Sequence, residues 1–219
     1  MAEFGWSSNW SLIVLTLSEQ RVVLHNVSWQ TYEHLLWDHV DASTPRFTFD
    51  RGVLEIMSPS AEHERYKQAL SLLVEMLADG LGIDIENLGS TTFKRSQLER
   101  GFEADVCFYV QSATRMHGKV HIDPTVDPAP DLVIEIEITA PALNKLPLFA
   151  AFGVPEVWRY DGRQLRILQL TGSEYTESPK SLAFPRASDA GLSHLVQQRM
   201  SLKRTEWLRT LRDWVRELR

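Results

Sequence analysis

The sequence predicts an α/β fold: a central mixed β-sheet flanked by helices, with edge hairpins. Three observations carry this. Ala129–Lys145 reads A-P-D-L-V-I-E-I-E-I-T-A-P-A-L-N-K, an aliphatic run continuous enough to need cover on both faces. Tyr66, Leu70, Leu73, Leu77 and Leu81 fall on one stripe at helical spacing in the stretch 61–81. Two hairpin signals complete the set. Arg46–Asp50 and Val53–Met57 flank Asp50-Arg51-Gly52, and Val154–Tyr160 and Gln164–Leu170 flank Asp161-Gly162.

In chain order, residues 1–9 form an irregular end, and Trp10–Leu17 and Gln20–His25 read as short strands. Leu12–Leu17 is too short for a membrane span, and neither a basic segment before it nor a cleavage site after it marks a secretory signal. Ser28 caps a helix to about His39, with Trp29, Tyr32, Leu35 and Leu36 as its packing face. Ser60 caps the Ala61–Leu81 helix, which Gly80 or Gly82 closes. His63 shares its apolar stripe at the start. It is either a capping or hydrogen-bonded histidine or one turned inward near a site.

Ile83–Leu88 and Thr91–Lys94 are short strands, and Phe102–Val110 reads as a single strong one with Glu103, Asp105, Cys107 and Tyr109 on one face. The loop 111–128 holds His117 and His121. With no third ligand nearby in sequence they read as loop residues, not a metal site. Lys145–Phe152 is a short helix ended by Gly153, and Tyr175 sits in a small strand within a mostly irregular 172–189. From Gly191 the chain is helical. Trp207, Leu211, Trp214 and Leu218 form an apolar stripe, and Lys203, Arg204, Arg209, Arg212, Arg216 and Arg219 make the remainder basic. With Glu206, Asp213 and Glu217 interspersed, this is read as a packing helix with a solvated face rather than a nucleic-acid contact.

The totals fit one domain: 219 residues, 43% hydrophobic and 24% charged. The expected division is an N-terminal extension (1–21), a main domain (22–190) and a C-terminal helical tail (191–219). A net charge of −6 excludes a binder that holds nucleic acid over its whole surface, though not a nuclease with a local basic patch. The lone Cys107 excludes an intrachain disulfide and fits a reducing cytoplasm.

Alternation puts Asp131, Val133, Glu135 and Glu137 on one face of their strand. Neighbouring strands lie about 4.8 Å apart, so Asp105 and Glu135 can share one divalent ion. Hard oxygen ligands favour Mg²⁺ or Mn²⁺. Lys145, just past the strand, could then orient an attacking water or stabilise charge on a phosphorus. Glu137 could take a second ion or hold Lys145. Residue types alone favour ordinary ion pairing over a metal site.

The succession G-V-L-E-I-M-S-P-S, E-H on a helix, E-A-D, P-D-L-V-I-E-I and K-L-P-L-F-A-A-F-G-V-P-E-V-W-R-Y-D resembles the Uma family of restriction endonucleases, within the PD-(D/E)XK nuclease superfamily. The likeness runs from about Val22 to Tyr175 and is most specific over Lys145–Asp161. It implies a restriction-endonuclease-like core and a Mg²⁺- or Mn²⁺-dependent endonuclease acting on nucleic acid, DNA by preference, as a homodimer. By resemblance, Asp105 is the D of the family's "PD" and Glu135 the acid of its E-x-K-like motif. Lys145 is the lysine displaced into the next helix, and His63 the histidine after the M-S-P turn. The chain departs from the pattern in having Ala104 before Asp105, Glu137 at the usual lysine position, and Thr139-Ala140-Pro141 for the S-P-S segment. The other reading is a nuclease-like fold without catalysis, serving as a nucleic-acid-binding or assembly module.

Overall fold

The computed structural model describes residues 19–140 and 142–219, so the strand expected at Trp10–Leu17 lies outside the described residues. The described chain opens with β1 (Gln20–Leu24) and α1 (Trp29–Asp38). The hairpin β2 (Arg46–Asp50) and β3 (Val53–Ser58) follows. Helix α2 (Ala61–Leu81) begins at a cap in which the Ser60 hydroxyl accepts from the His63 amide, and it ends at Gly82 in the left-handed region. Next come β4 (Glu86–Gly89), β5 (Thr92–Arg95), β6 (Arg100–Glu103), β7 (Val106–Tyr109) and a single turn, α3 (Ala113–Met116). Then β8 (Leu132–Ile136), α4 (Leu146–Phe152), β9 (Glu156–Tyr160), β10 (Leu165–Thr171) and β11 (Glu174–Ser178) complete the strands. Helices α5 (Asp189–Ser201) and α6 (Arg204–Glu217) close the chain. Among the described residues no helix is long and apolar enough to cross a membrane.

The central sheet has six strands in the order β11-β10-β9-β8-β7-β4. It is mixed because β8 and β9 run parallel, and the crossover between them is the segment carrying α4. Both faces of β8 are covered, as its continuous aliphatic run requires. Leu132, Ile134 and Ile136 meet α2, α5 and α6 through Leu70, Leu73, Leu195 and Trp207. Val133 faces the other way, toward Phe149 and Phe152 of α4 and Phe102 of β6. Edge hairpins β9–β10 and β10–β11 extend this sheet, whereas the β2–β3 hairpin belongs to a second, five-stranded antiparallel sheet, β1-β3-β2-β6-β5.

The segment 102–110, expected as one strand, is two. β6 pairs with β2 and β5 in the second sheet, while β7 pairs with β8 in the first. The chain changes sheets at Ala104-Asp105. Asp105 Oδ2 there accepts the Ile136 amide at 2.7 Å, a side chain standing in for the ladder. Glu103 is consequently not beside Asp105. Its carboxylate accepts from the Phe47 amide at 2.7 Å and the Thr92 hydroxyl at 2.9 Å, within the second sheet.

Helix α1 covers that sheet through Tyr32, which stacks on Phe49 at 5.1 Å between ring centroids. Gly101 on β6 runs directly beneath Tyr32. A Cβ there would lie 2.3 Å from the Tyr32 hydroxyl and 2.8 Å from its ring carbons. Gly101→Ala is expected to lower stability by about 1–3 kcal/mol, the cost of overpacking. An unchanged urea midpoint would show that α1 can lift off without loss.

Candidate active site

The two sheets meet at the Ala104-Asp105 corner, and charged side chains from both converge there. One step past the Val106↔Ile134 pair, the β7–β8 register sets Asp105 opposite Glu135. The Asp105 amide donates to Glu135 Oε1 at 3.4 Å. Lys145, the residue before α4, reaches back along the sheet. Its Nζ lies 2.8 Å from Glu135 Oε2 and 3.9 Å from Glu55 Oε1. His63, in the first turn of α2, points inward with Nε2 3.2 Å from Asp105 Oδ2. Glu135 is 2% exposed, Asp105 3% and His63 0%, so these groups interact largely outside bulk solvent. Four of the residues singled out in the sequence, Asp105, Glu135, Lys145 and His63, thus lie together.

Glu137 lies apart from them. Past the end of β8, it accepts from Arg159 Nε at 3.0 Å and also from its Nη2, and makes no pair with Lys145. Asp131 organises the turn after β7 by accepting the Val110 and Ser112 amides at 2.9 and 2.8 Å. Glu156, in the G-V-P-E-V-W segment, is also outside the cluster. It accepts from Trp158 Nε1 at 2.8 Å, the Ser181 hydroxyl at 2.6 Å and the Leu182 amide, tying the loop before α5 to β9. Burial raises its pKa, and those donors offset part of that. His117 is exposed and pairs with Glu86. Cys107 is fully buried, and burial pushes its thiol up to about 12, which leaves it inert.

Glu19, Arg21, Arg46 and Glu55 join the cluster without having been singled out. Arg21 bridges Glu19 at 2.7 Å and Glu55 at 3.0 Å. Burial opposes its charge, yet Glu55 and Glu19 outweigh that and hold its pKa above the ordinary value. Thr139 donates to Glu19 at 2.5 Å, linking the end of β8 to the segment before β1. Arg46 pairs closely with Asp105 and donates to Glu64 at 2.8 Å. His63, with Nδ1 3.7 Å away, leads the causes that lower the Glu64 pKa to about 2, with Lys67 and Arg46 adding to it. One signal could have found Glu55: it is the lone charge in the apolar run V-L-E-I-M of β3, and it is 1% exposed.

Glu19, Glu55, Asp105 and Glu135 face Arg21, Arg46 and Lys145 in a nearly closed space. Among the described residues, the pairings leave Glu19 Oε2 and Glu55 Oε2 buried without a hydrogen bond. An unsatisfied buried polar atom is costly, more so when charged, and Arg46 Nε and the His63 ring nitrogens stand unpartnered in the same cluster as these two oxygens. Its oxygen-rich, thiolate-free donors fit a hard divalent cation. As they stand, no three His, Cys, Asp or Glu side chains among the described residues form a metal-holding group, with Arg46 and Lys145 lying against Asp105 and Glu135.

Comparison with curated proteins gives no match. Among solved structures, the crystal structure of a "putative nuclease belonging to DUF820 from Anabaena variabilis ATCC 29413" aligns with a TM-score of 0.50 at 14% identity. The alignment covers 78% of this chain and 99% of that one, and at such identity the likeness is one of fold. The family model described as "Uma2: Putative restriction endonuclease" matches residues 29–197, a span that contains Arg46, Glu55, His63, Asp105, Glu135 and Lys145. With most of its length inside that match, the chain belongs to the Uma2 family.

Proposed function

We propose that the chain is a Mg²⁺- or Mn²⁺-dependent endonuclease that hydrolyses phosphodiester bonds in nucleic acid, with DNA as the preferred substrate. The observation that carries this is the buried meeting of Asp105, Glu135 and Lys145 from three separate elements, with Lys145 Nζ 2.8 Å from Glu135 Oε2. Asp105 and Glu135 would hold the metal, and Glu55, 3.9 Å from Lys145, is the nearest further carboxylate. A bound ion would polarise a phosphoryl oxygen and lower the pKa of a water. Lys145 would neutralise charge developing on the phosphoryl group, in a place where low exposure strengthens the effect. His63 fixes Asp105 from the α2 side, and Glu137 steadies Arg159 at the rim of the sheet. The family resemblance makes a homodimer the working assembly, and a lone buried thiol suits the cytoplasm.

A second reading has one observation in its favour. Arg46 against Asp105 and Lys145 against Glu135 neutralise both expected ligands internally, as a binding or assembly module would. A plasmid-cleavage assay in Mg²⁺ or Mn²⁺ separates the two. Wild type should nick or linearise the plasmid, and Lys145→Ala should cut at least about 100-fold more slowly, the scale seen when one preorganised charge-stabilising group is lost. Equal cutting by both proteins, or none with either metal, sinks the enzyme reading.

A further inference from the structure

Beside the carboxylate cluster a groove of about 320 Å³ opens at the start of α2, lined by Ser43, Thr44, Arg46, Ser60, Glu64 and Lys67 among others. A helix start offers free amides and a positive dipole end, and here a second feature joins it. Arg46 is only 5% exposed; its Nη1 lies against Asp105, and its Nε has no hydrogen-bond partner among the described residues. Its Nη2 is held at 2.8 Å by Glu64, whose other oxygen lies 3.5 Å from Lys67. Glu64 is itself 35% exposed in its side chain, so it sits at the mouth of the groove as an internal anion between two cations. Lys67 also lines a second groove of about 320 Å³, which runs on past Ser71, Asn87 and Glu75, whose carboxylate accepts from Asn87 at 2.6 Å, to the exposed Arg204 at the start of α6. Arg46, Lys67 and Arg204 therefore lie along one path, which suits a chain of phosphates better than a single small anion.

We propose that this path seats the backbone phosphates flanking the scissile one, and that Glu64 holds the first phosphate position until nucleic acid displaces it. The proposal rests on the nuclease reading and assigns that site its substrate track. A phosphate between Arg46 and Lys67 gains charge-assisted hydrogen bonds of the kind Glu64 now makes. Displacing Glu64 costs part of that gain, so affinity should rise when Glu64 loses its charge. Sequence preference should not change, because phosphate contacts carry no base information.

The test is binding of the full chain to a short fluorescein-labelled DNA duplex, and to its RNA counterpart, by anisotropy in EDTA over a series of NaCl concentrations. Lys67→Ala should weaken binding alike across sequences and reduce the slope of log K against log salt by about one. Glu64→Gln should tighten binding by about threefold, with thermal melting confirming that both variants are folded. The duplex bound more tightly identifies the nucleic acid. Unchanged affinity and slope in both variants, or no binding by wild type at low salt, overturns the proposal. If the variants behave as expected in EDTA while no metal supports cleavage, the track stands and the nuclease reading alone falls. If wild type cleaves while the variants bind as it does, the track alone falls.

Discussion

Asp105→Ala is expected to abolish cleavage and also to remove a large part of the protein's stability, and the two losses can be separated. Asp105 accepts from the Ile136 amide and pairs with Arg46, whose side chain is 6% exposed. Removing the carboxylate leaves a buried guanidinium with Glu64 as its one remaining acidic partner among the described residues. Breaking a buried pair from one side typically costs about 3–5 kcal/mol, against about 5–15 kcal/mol for the whole fold. Losing the acceptor for the Ile136 amide adds about 1 kcal/mol or more. Replacing both partners is gentler, since a buried ion pair exchanged for apolar groups of similar volume is often neutral. Asp105→Ala should therefore lower the urea midpoint sharply, and adding Arg46→Met should restore most of it. The double variant should stay inactive, because the carboxylate proposed to hold the metal is still missing. A single variant as stable as wild type would show that Asp105 and Arg46 are not a coupled buried pair. A double variant that regains cleavage would remove Asp105 from the chemistry.

How much of this site the sequence disclosed depended on whether the deciding contact was local. The period of two in β8 sorted Leu132, Ile134 and Ile136 from Val133 and Glu135 correctly, because burial on both faces leaves an alternating strand little freedom. Ser60 and the choice of Gly80 or Gly82 bounded α2 to within a few residues, since helix ends are settled by residues next to them, and the structure caps it at Gly82. The corner at Ala104-Asp105 was not visible. Apolar alternation runs through it unbroken, and what turns the chain is a hydrogen bond to Ile136, far along the sequence. Arg46 and Arg21 were hidden for the same reason: their partners Asp105 and Glu55 are distant in the chain, and in a hairpin strand an arginine usually faces water. Glu137 shares the parity of Glu135 but lies beyond the last β8 residue. Arg159 on β9, in register with Glu135, draws it to the rim.

Trp207→Ala should lower the melting midpoint by roughly 6–20 °C, as the reading of its C-terminal helix as a packing element requires. Deleting a buried tryptophan costs about 3–5 kcal/mol, and for a chain of this size each kcal/mol shifts the midpoint by about 2–4 °C. The large value is expected because Trp207 is 0% exposed and its indole N–H donates to Leu195 O at 2.8 Å, locking α6 to α5. Further along the same helix, Leu211 and Val215 join the core shared with α2. The approach is so close at Gly80 that a Cβ there would lie 2.1 Å from Val215 Cγ1. Thermal melting followed by circular dichroism is the measurement, and a midpoint within a degree or two of wild type would mark the tail as an appendage. The consequence reaches the site through α2, which carries Ser60, His63, Glu64 and Lys67 at its other end. Loosening α6 removes apolar support from the C-terminal half of α2, so the metal and nucleic-acid binding proposed around its N-terminal end should weaken before the chain unfolds. A substitution on the surface of α6 such as Arg212→Ala removes an exposed charge without touching that packing, and should leave the stability within about 0.5 kcal/mol of wild type.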